Sequence, residues 1–195
     1  MNIIQIGCNS GNDNAFQIIK EVKSDVQNII LIDPLIECLF KAKETYSEFK
    51  DKITLLNCVI SNENGITSFY HPLEDNQSVH SSLSLEHVGL HRHNKIRRII
   101  TPSIKINDLL NIINAPVAFL FVDAEGSDFE IVNAVDLKKY QIEVIVYENS
   151  HTDGVFQRTI NNDYLKLKLM KYGYSVKEYG NDTIAIKNNS NFKLK

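Results

Sequence analysis

The chain has 195 residues, 43% of them apolar, with three cysteines and a formal net charge of −3. That length and apolar content suit one domain over residues 1–195 with a real core and exclude a disordered chain, while the small charge argues against nucleic acid as the main partner. No apolar run reaches the roughly 18 residues of a bilayer span, and a Met1 that leads straight into a core strand, with Cys8, Cys38 and Cys58 widely spaced and odd in number, points to reduced thiols and a cytoplasmic location.

Apolar periodicity gives the elements in chain order. Residues 2–6 read as a buried strand and 12–23 as a helix. Residues 29–32 form a second strand that ends at Asp33-Pro34, and Leu35, Leu39, Ala42 and Tyr46 mark one face of a second helix. Residues 53–60 form a third strand, 62–65 a turn and 66–70 a short return strand. Residues 71–98 are polar and irregular. Residues 99–106 are extended, and Pro102 argues for an edge position. A short helix over 107–113, a buried strand over 117–122, a helix over 126–137 and a strand over 142–147 follow. Leu165, Leu169 and Tyr172 share a helical stripe. Residues 174–179 and 183–186 form a hairpin through Gly180-Asn181-Asp182. Strands alternating with helix-length segments predict a mostly parallel sheet with helices on both faces, closed by an antiparallel hairpin.

The glycine turn Gly7-Cys8-Asn9-Ser10-Gly11 follows the first strand directly. Backbone amides at such a turn can approach a nucleotide-like ligand. Asn9 stands where a dinucleotide fingerprint has its central glycine, and Asp13 would repel a phosphate. Both features suit a ligand whose near end is a zwitterionic amino acid. Asp33, at the end of the second strand, offers a carboxylate to two ribose hydroxyls, or caps the helix that Pro34 opens. Asp123 and Glu125 follow a wholly apolar strand where buried carboxylates are costly, which marks a site. Asp128 and Glu130 read as helix-start charges. Glu148 and His151 end the next strand and are general-base candidates. Five of the six histidines lie between His71 and His93. That segment reads first as a solvated loop, and next as a basic lid over an anionic or sugar-like acceptor. No suitable cysteines stand near it for zinc, and no ligand spacing in the chain indicates a metal.

In order along the chain, Ile6 to Gly11, Ile32-Asp33-Pro34, Cys58 to Ser61 with Gly65, Ser81-Ser82-Leu83, Ile106 to Leu110, Phe121 to Val132 and Gly173-Tyr174 resemble the FkbM-type S-adenosylmethionine-dependent methyltransferases. The block from Phe121 is the most specific part. The resemblance implies a Rossmann-like class I methyltransferase fold: a mostly parallel seven-stranded sheet with an antiparallel C-terminal hairpin. It also implies O-methylation of a sugar, glycan or small-molecule hydroxyl, leaving S-adenosyl-L-homocysteine as product. By position it sets Gly7, Asn9, Ser10 and Gly11 against the methionine part of S-adenosyl-L-methionine and Asp33 at the ribose. Cys58 and Val59 would flank the adenine, and Asp123 and Glu125 the sulfonium and acceptor. Glu125, Glu148 and His151 are the base candidates. Gln5 replaces the family's usual acidic residue and Phe121 its usual lysine. Two other readings stay open: a methyltransferase-like binding protein without catalysis, and an NAD-dependent oxidoreductase. The lost central glycine and the terminal hairpin speak against the second.

Overall fold

The computed structural model describes residues 1–73, 80–93, 95–150, 160–190 and 192. In chain order its elements are β1 (Asn2–Ile6), α1 (Asn14–Glu21), β2 (Asn28–Ile32), α2 (Ile36–Thr45), β3 (Ile53–Leu56), β4 (Val59–Ile60), β5 (Gly65–Pro72), α3 (Leu85–Leu90), β6 (Ile96–Ile104), α4 (Ile106–Ile113), β7 (Val117–Val122), α5 (Asp128–Ala134), β8 (Val144–Glu148), α6 (Ile160–Lys171), β9 (Tyr174–Tyr179) and β10 (Asp182–Lys187).

Seven strands form one sheet in the order β3-β2-β1-β7-β8-β10-β9. The first five run parallel, and β10 is antiparallel to both β8 and β9, as the terminal hairpin predicts. Successive side chains of a strand face opposite ways, so a sheet covered on both faces needs unbroken apolar runs. Ile4, Ile6, Ile30 and Ile32 pack with Leu109, Ile131 and Leu165 of the α4, α5 and α6 layer. Ile3, Ile29 and Leu31 face Phe16, Ile19 and Leu39 of α1 and α2.

A second sheet, ordered β4-β6-β5, departs from the sequence expectations. The expected third strand over 53–60 divides: β3 stays in the large sheet, and β4 pairs with β6. Asn57 stands at the break and donates from Nδ2 to the Asp33 carbonyl at 3.0 Å. The expected edge strand with Pro102 is instead the centre of this sheet. β4 pairs only with Ser103 and Ile104, so the proline lies where that ladder has already ended and its missing N–H breaks no bond there. The segment expected to be irregular, 71–98, contributes the end of β5, all of α3 and the start of β6. Val59 and Phe69 pack on Leu35 and Cys38 and so dock the small sheet beside α2.

The glycine turn crosses from β1 to α1 in close contact with its neighbours. Gly7 has φ +73° and donates from its N–H to the Ile32 carbonyl at 2.9 Å. A β-carbon on Gly7 would stand 1.7 Å from the Asp123 carbonyl oxygen, so only glycine fits. Beneath the turn, Gln5 is buried on the α1–α2 side. Its amide donates to Asp13 Oδ2 at 2.6 Å and its carbonyl accepts from the Tyr46 hydroxyl at 2.7 Å. Asp13 Oδ1 in turn caps α1 by accepting from Phe16 N at 2.9 Å. Tyr46→Phe leaves the buried Gln5 carbonyl without its donor. The expected cost is about 1–3 kcal/mol of stability, read from urea unfolding followed by circular dichroism.

Candidate functional site

The loops that leave β1, β2 and β7 at their carboxyl ends, with β4 and the segment before α3, enclose a cleft of about 630 Å3, the open space at its mouth included. An open parallel sheet leaves its crevice at this end, where neighbouring crossovers run in opposite directions. Gly7, Asn9, Asp33, Cys58, Val59, Asp123 and Glu125 all line it. Leu35, Phe69, Ser81 and Leu83 add wall, though none of them was a candidate site residue in the sequence. Ser10 and Gly11 are not part of the lining. The Ser10 carbonyl accepts from the Thr45 hydroxyl at 2.8 Å, and Gly11 lies against the Tyr46 ring. His151 falls outside the described residues.

Asp33 is 6% exposed and ties two parts of the wall together. Oδ2 accepts from Asn9 N at 2.9 Å and Oδ1 from Leu35 N at 2.8 Å. Helix α2 begins later, with Leu35 at its N-cap, so Asp33 does not cap the helix directly. Burial pushes the Asp33 carboxyl up to about 6 against the pull of its two N–H donors. Each oxygen keeps a further lone pair for a ligand hydroxyl.

Asp123 and Glu125 stand on the turn from β7 to α5, and Glu148 ends β8. Oxygens of these three carboxylates lie within 4.8 Å of one another, the one group among the described residues spaced to surround a cation. Asp123 lines the cleft with protein packed closely around its carboxyl. This loss of water, followed by the charges of Glu125, Asp128, Glu148 and Asp182, holds its carboxyl well above the usual range. Asp128 is fully buried and braces the turn: Oδ1 accepts from Ala124 N at 3.2 Å and Oδ2 from Gly126 N at 3.3 Å. Burial, then the charge of Glu148, pushes it up to about 8. It is a helix-start residue, as expected, but its bonds go to the preceding turn.

Glu125 takes a left-handed backbone, φ +46°. Its carbonyl accepts from the Ser82 hydroxyl at 2.7 Å, and its Oε2 stands 3.2 Å from Nε2 of His87 on α3. His87 is wholly buried, which corrects the expectation of a solvated loop across the histidine-rich segment. Behind it, His91 stacks on His80 at 3.6 Å, and His80 meets His93 at 3.1 Å between ring nitrogens. The sequence offered Ser82 as part of a motif and His87 as one of five clustered histidines, four residues before His91 at helical spacing, but neither contact to Glu125 was legible there.

A model of the methyltransferase FkbM domain matches residues 5–176. No curated protein matches the chain. Among solved structures, the chain is similar to a methyltransferase FkbM from Methylobacillus flagellatus KT, with a TM-score of 0.55 and 13% identity. The likeness covers 95% of this chain and 43% of that one, so this chain spans less than half the length of its solved neighbour. At that identity the likeness speaks for the fold. Among the described residues no helix is long and apolar enough to cross a membrane.

The raised carboxyls fix the sign of the pH dependence. Native Asp33, Asp123 and Asp128 bind protons that the unfolded chain has already lost, so their contribution to stability is present below about pH 4. It is lost as the pH climbs through about 6 for Asp33 and about 8 for Asp128. The thermal midpoint is expected to be several degrees higher near pH 5.5 than near pH 8.5. Asp128→Asn should shrink that difference in the same scanning-calorimetry comparison.

Proposed function

Since the chain belongs to the methyltransferase FkbM family, we propose that it methylates a hydroxyl of a sugar, glycan or other small molecule, using S-adenosyl-L-methionine. The observation that carries the proposal is the single cleft in which the glycine turn, Asp33 and the Asp123–Glu125 turn share one wall. The donor set suits that cofactor. Leu35, Val59 and Phe69 give an apolar wall for a base, the free lone pairs of Asp33 suit ribose hydroxyls, and the carboxylates of Asp123 and Glu125 suit a cation.

In this proposal Gly7 and Asn9 hold the amino-acid end, with Ser10 and Gly11 supporting the turn from behind. Asp33 holds the ribose, and Cys58 and Val59 flank the adenine. S-adenosyl-L-methionine bound there supplies a methyl group that is already activated. The protein's task is then alignment, and the proposal assigns no metal. A cation bound in the cleft favours the ionised form of Asp123, whose carboxylate then offsets that charge. Glu125 or Glu148 takes the acceptor hydroxyl's proton, a contribution of about 10²–10⁴-fold in general acid–base catalysis. His151 stays a sequence candidate for the same role.

Calorimetry with S-adenosyl-L-homocysteine tests the cofactor assignment, with NAD as the comparison. Binding of the first and not the second is expected, and the reverse favours the oxidoreductase reading. Binding without turnover across a broad hydroxyl-acceptor panel favours a non-catalytic binding protein. Because ribose hydroxyls donate best to ionised Asp33, affinity should fall as the pH drops through about 6, the value to which burial raises this carboxyl. About a tenfold loss near pH 5 is expected, and Asp33→Asn should bind weakly and show a flat profile.

A further inference from the structure

The segment from Ser82 to His87 grips one residue at two points. Ser82 donates to the Glu125 carbonyl at 2.7 Å, and His87 Nε2 stands 3.2 Å from Glu125 Oε2. The gripping segment is itself fixed. Ser84 N donates to the Ser82 hydroxyl at 3.1 Å, and the Ser84 hydroxyl accepts from His87 N at 3.2 Å, which caps α3. Ser82 also exchanges both backbone hydrogen bonds with Tyr70 of β5, which anchors the segment to the small sheet. The His87 ring is fully buried and faces the His91 ring at 5.4 Å, with the His80 and His93 rings behind.

We propose that His87 is a positioning residue: through its ring N–H it holds the Glu125 carboxylate toward the cationic centre of the donor in the cleft. The inference rests on the cofactor reading above. A carboxylate that only had to be satisfied would not require this arrangement. Glu125 keeps 20% of its side chain exposed, so water reaches part of the carboxylate while a wholly buried ring fixes the oxygen it meets. What the double grip supplies is a fixed direction. Carbonyl and carboxylate are held by the same short segment, so swinging the side chain away breaks its contact with a ring that α3 keeps in place. Fixed dipoles and charges act on a reacting centre because they need no reorganisation.

The test needs no acceptor. S-Adenosyl-L-homocysteine is neutral at sulfur, whereas sinefungin carries an ammonium group in place of the methyl sulfonium, so the ratio of their affinities reads the charge held at that point. Wild type should prefer sinefungin. Glu125→Gln should lower the preference about tenfold, and His87→Phe, which keeps an apolar ring, about three- to tenfold with S-adenosyl-L-homocysteine affinity nearly unchanged. His87→Gln retains an N–H donor and should restore most of the preference, a rescue that a purely structural role does not predict. Should His87→Phe fail to fold, Ser82→Ala and His87→Gln are compared with wild type in the same assay, and the first should lose more of the preference. An unchanged ratio in His87→Phe, or in Ser82→Ala where that is the variant read, overturns the inference, as does an unchanged ratio in Glu125→Gln. Failure of wild type to bind either ligand overturns the cofactor reading itself, and the inference with it.

Discussion

Asp33 joins two stretches of backbone that the chain keeps far apart. Its two oxygens accept from Asn9 N and Leu35 N, and no water is needed to satisfy either bond. Asn9 sits at φ +42°, a conformation that costs a non-glycine residue, so the bond to Asp33 also secures the turn that Gly7 begins. Gly7 in turn has the Asp123 carbonyl where a β-carbon would be. Three strand ends are therefore locked in register by one carboxylate, one glycine and the parallel ladder between β1 and its neighbours. The cleft has its shape because these constraints agree.

The second layer of control comes from the small sheet. β5, itself paired with β6, holds the Ser82 segment through Tyr70, and Val59 and Phe69 seat the sheet beside α2. Leu83 and Ser81 reach the cleft from this side, opposite the strand ends. The wall thus has two origins: a floor set by the large sheet and a roof set by a small mixed one, in which β4 runs parallel and β5 antiparallel to β6. The side chains of Asp123 and Glu125 lie where the two meet.

Most of the floor was legible in the sequence. Ile29 to Ile32 and Val117 to Val122 are apolar without interruption because both faces of their strands are covered. Such runs identify buried parallel strands without any tertiary knowledge. The glycine turn and Asp33 were legible because their chemistry is local to the chain. The roof was not. β4 is two residues long, too short to show a period, and its partner Ser103 is remote in sequence. Pro102 gave a sound local signal that was placed at the wrong scale: the strand is central, while the proline's own position is bare on that side. His87 looked like one more polar residue in a polar stretch, since nothing in its neighbours announces a carboxylate 38 positions ahead. Gln5 was read only as a departure from the family's usual acidic residue. Its partners Tyr46 and Asp13 show that it serves the layer beneath the turn.

All the small sheet and α3 come from one uninterrupted stretch of chain, from β4 through β6, inserted between two elements of the large sheet. The floor contributes Asp33 and the glycine turn from outside that stretch. Mutation can therefore rebuild the roof as a unit, altering what lies opposite the carboxylates while the strand ends keep their places. A lineage carrying this architecture can vary the wall beside Asp123 and Glu125 through one contiguous stretch of chain, with the glycine turn and Asp33 inherited intact.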